Sequence, residues 1–164
     1  MASSSSSSLS RVVVKSSDNN LFVVNKKVAS QSQLLKQCID NMEEKGTNDV
    51  ILIPLSNVTS NILTLVLEYC EKHADFADDD NNNQELKQWD HEFLKKFDYA
   101  TLNSLTMAAD YMVTKSLLNL CCQFIADSIK DLTVQQIRQI FDIKNDFTPQ
   151  EEADIKNENA WAFR

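Results

Sequence analysis

Two helix starts lie close together in the stretch from Leu132 to Arg164, and they bound what that stretch can become. Thr133 and Gln136 have the spacing of a capping box, in which each side chain satisfies the other's backbone N–H, and Leu132 and Ile137 are placed to staple across it. Thr148 and Glu151 repeat the box, with Pro149 at the first helical position, where its fixed φ and missing N–H do no harm. The first helix aligns Val134, Ile137, Ile140 and Phe141 on one stripe. The second, Gln150 to Asn159, carries only Ala153 and Ile155 as apolar residues before Ala-Trp-Ala-Phe follows. So polar a helix, about ten residues long, is marginal in water by itself. Phe147 lacks a staple partner, because the matching position is Glu152. Several large apolar side chains here therefore have no evident internal home, and each is worth ~1.5–3 kcal/mol when fully buried. Either the segment folds back on its own domain or another protein completes the surface. A polar helix has little to dock with, which favours the second reading.

The remaining chain is that of an ordinary globular protein. A length of 164 residues suits one domain with a sizeable core. A single Gly and two Pro favour helices over a turn-rich all-β fold. A net charge of −8 argues against nucleic acid as a main partner, since phosphate contacts need Lys and Arg. No apolar run approaches the ~20 residues of a membrane span, so no membrane role is expected. The Ser3–Ser8 tract has no hydrophobic run to make it a secretory signal, and residues 1–10 read as a disordered tail.

Taken in order, Arg11–Lys15 and Leu21–Val24 are β-branched and aromatic runs joined by Asp-Asn-Asn, a hairpin signature. Ser30 with Gln33 should cap a helix whose face is Leu34, Leu35, Cys38, Ile39 and Met42, with Gly46 ending that region. Val50–Ile53, closed by Pro54, reads as a strand packed under a helix. Thr59 or Ser60 then caps a helix bearing Ile62, Val66, Tyr69, Cys70 and His73. The acids and Asn residues that follow read as a disordered loop over residues 75–86. Beyond it, Asp90 is expected to cap a helix carrying Phe93, Leu94 and Phe97, and Asp98 the next, with Leu102, Leu105, Ala109 and Met112. Lys115 to Lys130 is one more, burying Leu117, Leu118, Cys121, Cys122, Ile125 and Ile129 in an antiparallel hairpin with its predecessor. The layout is α+β, a small sheet covered by helices.

Catalytic and metal-binding constellations are hard to assemble from these residues. There is no P-loop or dinucleotide fingerprint, and one Gly nearly excludes both. Cys70 and His73 sit one helical turn apart, but no second pair completes a zinc site, and Asp78, Asp79 and Asp80 lack the spacing of a calcium loop. The four cysteines read as reduced core thiols of a cytosolic or nuclear protein. The chain is therefore expected to be no enzyme and to need no metal or other cofactor.

The run I-R-Q-I-F-D-I-K-N-D-F-T-P-Q-E-E from Ile137, followed by E-N-A-W-A-F, closely resembles the C-terminal signature of the SKP1 family. V-V-V-K-S-S-D near the start, P-L-S-N-V-T-S-N-I-L with E-Y-C after Pro54, and A-A-D-Y-M extend the resemblance over Val12 to Phe163. It implies a BTB/POZ fold over residues 11–130 followed by C-terminal F-box-binding helices over 131–164. It further implies a non-catalytic adaptor of SCF-type ubiquitin ligases, bridging a cullin-1-type scaffold to F-box substrate receptors in nucleus and cytoplasm. On that reading Ile137, Ile140, Phe141, Ile143, Phe147, Ile155 and Trp161 form much of the F-box surface. Asp110 and Tyr111 are the cullin-contact candidates, at a place where family members commonly carry Asn-Tyr. The chain departs from the family's pattern at Arg164, usually acidic, and at Ala153-Asp154, which interrupts an acidic run. The free chain is expected to form a homodimer through its uncovered apolar surface. The other reading is a self-associating POZ-type interaction protein without ligase duty.

Overall fold

The structure is a computed structural model that describes residues 11–44, 50–76 and 83–163, the side chains of Asn83 and Phe163 excepted. The Ser tract, Gly46, the three consecutive Asp residues and Arg164 lie outside the described residues. The chain divides into two compact units, Met1–Ser128 and Ile129–Arg164.

In the first unit, β1 (Arg11–Lys15) and β2 (Leu21–Val24) form the expected antiparallel hairpin, and β3 (Val50–Pro54) joins the other side of β1 in parallel, giving the order β2-β1-β3. The hairpin closes through Ser16, whose Oγ donates to the Asn20 carbonyl at 3.2 Å and accepts from the Asn20 N–H at 3.1 Å. Asn19 takes φ 66°, a left-handed value that Asn tolerates. Asp18 leans out of the turn to accept hydrogen bonds from the N–H and hydroxyl of Ser60, at the start of α3 (Ser60–Phe76). Those bonds hold its carboxyl well below the usual carboxylate range. Strand alternation puts Val12, Val14, Val24, Ile51 and Ile53 into the core. β3 is an edge strand buried on one face only, since Val50 and Leu52 are exposed.

Helices cover the inner face. α1 (Lys26–Ala29) was not foreseen: four residues capped by Asn25 are too few to show a period. It shifts the start of α2 (Gln33–Glu44), so the expected Ser30 cap is corrected. Ser30 Oγ donates to the Lys27 carbonyl at 2.7 Å and closes α1, while buried Ser32 accepts from the Leu35 N–H at 3.2 Å and starts α2.

The expected loop over 75–86 is also too long. Asp75 and Phe76 end α3, and α4 (Asn83–Lys95) already includes Asn83 to Leu86. Asp90 is therefore no cap. It lies inside α4, 8% exposed, with Oδ1 2.8 Å from His73 Nε2, because a carboxyl that dry needs a polar partner. His73 stacks on Tyr69, ring centroids 3.9 Å apart, and Trp89, Phe93 and Phe97 continue the aromatic packing beside this pair.

α5 (Tyr99–Tyr111) and α6 (Lys115–Ile129) form the expected antiparallel hairpin. Asp98 caps α5 by accepting from the Thr101 N–H at 2.8 Å. Tyr99 donates to Ser128 Oγ at 3.0 Å, and the Thr106 hydroxyl donates to the Leu102 carbonyl at 2.7 Å within α5. Burial pushes the Cys70 thiol up to about 12 and that of Cys121 to about 11, so neither supplies a thiolate near neutrality. Cys122 is exposed, contrary to expectation, since one step along a helix turns a side chain ~100° from its neighbour.

α5 ends in a Schellman motif, with Val113 N bonded to Asp110 O and Thr114 N to Ala109 O. Val113 takes φ 53° there, a conformation that costs a β-branched residue ~1–2 kcal/mol. Replacing Val113 with Asn should raise unfolding stability by about 1 kcal/mol in a urea titration. An unchanged or lower midpoint would show that the valine side chain is worth more there than the strain it carries.

Candidate functional site

The second unit is built from local signals. α7 (Val134–Ile140) and α8 (Pro149–Glu158) both carry complete capping boxes, Thr133 with Gln136 and Thr148 with Glu151, as their spacing foretold. A short 3-10 helix, Ala160–Phe163, follows α8. Asp142 takes φ 52° after α7, and the Ile143 N–H returns to the Arg138 carbonyl at 2.8 Å. Neither α7 nor α8 contains a buried residue.

Arg138 joins the two helices. Its Nη1 donates to Glu152 Oε1 at 3.1 Å, and its guanidinium lies 5.9 Å from the centre of the Phe147 ring. Asn145 donates to the same Glu152 oxygen at 3.3 Å. The Arg138 bond is the main reason the Glu152 carboxyl sits below the usual range, and the Thr148 N–H and hydroxyl do the same for Glu151. Arg138, Asn145 and Glu152 were not singled out from sequence: the ion pair spans a turn between helices, and no local spacing marks it.

Large apolar side chains surround this polar hinge. Trp161 is 74% exposed, Ile143 52%, Phe147 47%, Phe141 40% and Ile155 39%, while Ile137 and Ile140 are half-buried. A cleft of about 580 Å³ between α7, α8 and the 3-10 helix brings Phe147 and Ile155 together with Leu132, Val134, Arg138 and Ala162. Val134 is half exposed and belongs with the candidates, although sequence reasoning gave it only to the stripe of α7. Ile143 lies on a second open cleft of about 460 Å³ beside Gln135, Gln139 and Asp142. Ile137, Ile140, Phe141 and Trp161 line neither cleft. The arrangement offers apolar pockets with one charged pair between them, the make-up of a protein-binding surface.

The other candidate pair stands at the end of α5. Asp110 is exposed, whereas Tyr111 is half-buried and packs on the core of its unit. Met107, one turn earlier, is 65% exposed, and Val113 follows with 37%. Two apolar residues thus flank Asp110 on the solvent side, and neither was picked out from sequence. Among the described residues no group of His, Cys, Asp and Glu could hold a metal ion, and no helix is long and apolar enough to cross a membrane.

A POZ-type sheet under helices, continued by a small capped helical unit with an uncovered apolar surface, defines an α+β protein of the interaction-module class. The comparisons agree with that class. Residues 10–75 match the model of the Skp1 family tetramerisation domain, and residues 115–162 that of the Skp1 family dimerisation domain. SKP1-like protein 14 of Arabidopsis thaliana is 44% identical over 158 residues, 95% of this chain and 99% of the relative. SKP1-like protein 9 of the same plant is 45% identical and SKP1-like protein 1A 42%, each over 95% of this chain and 99% of the relative. The chain belongs to the Skp1 family, and its relatives are plant-type members.

The carboxyls at α8 give this unit a pH dependence. Glu151 and Glu152 have folded-state pKa values below their ordinary 4.5, so their stabilising bonds are in place above that pH and are lost as pH falls through the folded values. Amide exchange along α8, corrected for intrinsic rates, should accelerate in the native chain as pH falls below 4.5. The double variant Glu151→Gln, Glu152→Gln should lose that dependence, and an identical profile in both proteins would contradict the assignment.

Proposed function

We propose that this chain is the non-catalytic adaptor of an SCF-type ubiquitin ligase in nucleus and cytoplasm. It would hold an F-box receptor through the second unit and a cullin scaffold through the end of α5. The observation that carries this reading is the group of exposed apolar residues on the described part of the second unit, in a chain of the Skp1 family. Phe147, Ile155 and Val134 would take apolar side chains of the F-box in the larger cleft, with the Arg138–Glu152 pair orienting polar groups beside it. Ile143 and Trp161 would extend the contact outside that cleft, and Ile137, Ile140 and Phe141 would support it along α7. Burial of these residues only in the complex is what gives an interface its free energy. The same exposed surface supports self-association of the free chain, which an F-box peptide would reverse and light scattering would report.

Truncation after Lys130 should abolish binding of an F-box peptide, while the remaining residues 1–130 stay folded and keep cullin affinity. Retained F-box affinity in the truncated protein would overturn the assignment. On the cullin side, an ionised Asp accepts hydrogen bonds but donates none, unlike the Asn that relatives commonly carry. Asp110→Asn should therefore tighten cullin binding by roughly fivefold or more, the equivalent of the ~1–3 kcal/mol that an unpaired buried polar group costs. Calorimetry at matched salt decides it, and unchanged or weaker binding in the Asn form would remove Asp110 from the contact.

A further inference from the structure

Among the described residues, the sheet has a second face that the helices leave open, with α3 bordering it only along β2. Alternation along the three strands brings Arg11, Val13 and Lys15 of β1, Leu21 and Val23 of β2, and Val50, Leu52 and Pro54 of β3 to that side. The registry makes this a compact array. Val13 stands between Val23 and Leu52, Lys15 between Leu21 and Pro54, and Arg11 beside Val50. Val23 is 75% exposed, Leu21 63%, Val50 57% and Leu52 47%, so strongly apolar strand positions meet solvent across the whole width. A solvated antiparallel sheet face is ordinarily polar, and a continuous apolar patch of this kind marks an interaction site.

Charge says what covers it. The strands contain two cations and no carboxylate, in a chain whose net charge is −8, and the acids that share a groove with them, Glu68 and Glu71 of α3, stand at the β2 edge beside Leu21 and Val23. Both cations lie on the central strand, at its two ends. Stacking two copies face to face sets these cations against each other, whether the central strands run the same way or oppositely, with no strand carboxylate to separate them. A partner with carboxylates along the centre of the face would answer both cations. The outer strands are ~10 Å apart, the width of a single helix. Arg11 and Lys15 are four residues apart in an extended strand, ~13 Å. We propose that the outer face of the β2-β1-β3 sheet docks an amphipathic helix of a partner protein, with an apolar stripe on Val13, Val23, Leu21 and Leu52 and carboxylates paired to Arg11 and Lys15. Two Asp or Glu residues on the same face as the stripe, about eight residues apart, lie ~12 Å apart at ~1.5 Å rise per residue, close enough for their side chains to reach both cations. This surface lies in the first unit and shares no residue with the end of α5.

The test uses the full chain and two synthetic helical peptides sharing one leucine stripe, flanked by Glu in one and by Lys in the other. Amide chemical shifts of the full chain, titrated with each peptide, give site and affinity together. The Glu-flanked peptide should shift β1, β2 and β3 and bind at least tenfold more tightly than the Lys-flanked one. Arg11→Glu with Lys15→Glu should reverse that order, and Val23→Thr with Leu52→Thr should weaken both peptides. Both sets of changes are at solvent-facing positions, so each variant should keep its thermal midpoint and its F-box peptide affinity. Shifts that map elsewhere, equal affinity for the two peptides, or a preference that survives charge reversal would overturn the proposal. So would sedimentation showing a dimer of the full chain that Val23→Thr with Leu52→Thr dissolves, since a second copy would then own the face.

Discussion

The first unit depends on a junction between two helix ends. The carbonyls at the C-terminus of α5 meet the N-terminus of α2: Met112 accepts from Ser32 Oγ at 2.5 Å and from the Leu34 N–H at 3.3 Å, and Val113 accepts from the Gln33 N–H at 3.3 Å. Each end supplies what the other lacks, since first-turn N–H groups and last-turn carbonyls have no partners within their own helix. The two helix dipoles also meet with opposite signs. Ser32 and Met112 are fully buried here, so an unmade bond would cost more than an exposed one. Val113 keeps its left-handed φ because both its N–H and its carbonyl are held. The same bonds fix where α5 ends, at Asp110 and Tyr111, and the point where the chain turns into α6.

The second unit rests on different physics. Its helices, seven and ten residues long, are below the ~12–15 at which an isolated helix becomes stable, and neither buries a residue. Two capping boxes, the Arg138–Glu152 bond and a few half-buried side chains hold it. Such a unit leaves much of Phe147, Ile155 and Trp161 exposed to solvent. Tight local capping keeps the cleft shaped in advance, so a partner would lose less ordering entropy on entering it.

Much of this architecture was legible in the sequence wherever a local rule applies. The hairpin, both C-terminal capping boxes, the Asp98 cap and the α5–α6 hairpin all follow from spacings of a few residues. Long-range pairings were not legible. Asp90 has the appearance of a cap, and only the approach of His73 from another helix explains a carboxyl in mid-helix. The first turns of α4 read as disorder because Asn, Gln and Glu outnumber apolar residues there, although the helix is held from Trp89 onward by aromatic packing. The strands were recognisable as strands, but Val-Val-Val and Val-Ile-Leu-Ile are apolar on both sides. Nothing in them says which face the helices cover, so the open face appears only in the structure. For the candidate site, the apolar residues were identified as surplus in advance. Their division between two clefts and the Arg138 hinge depends on how α7 meets α8, which sequence spacing does not encode.

The proposed adaptor carries two partners at once, each on its own unit. Light scattering on a mixture of the full chain, an F-box domain and a cullin N-terminal domain tests it most directly. The expected result is a single 1:1:1 species whose mass is the sum of the three, formed in either order of addition, with F-box affinity the same whether or not the cullin domain is present. A chain that releases one partner when the other binds would contradict it.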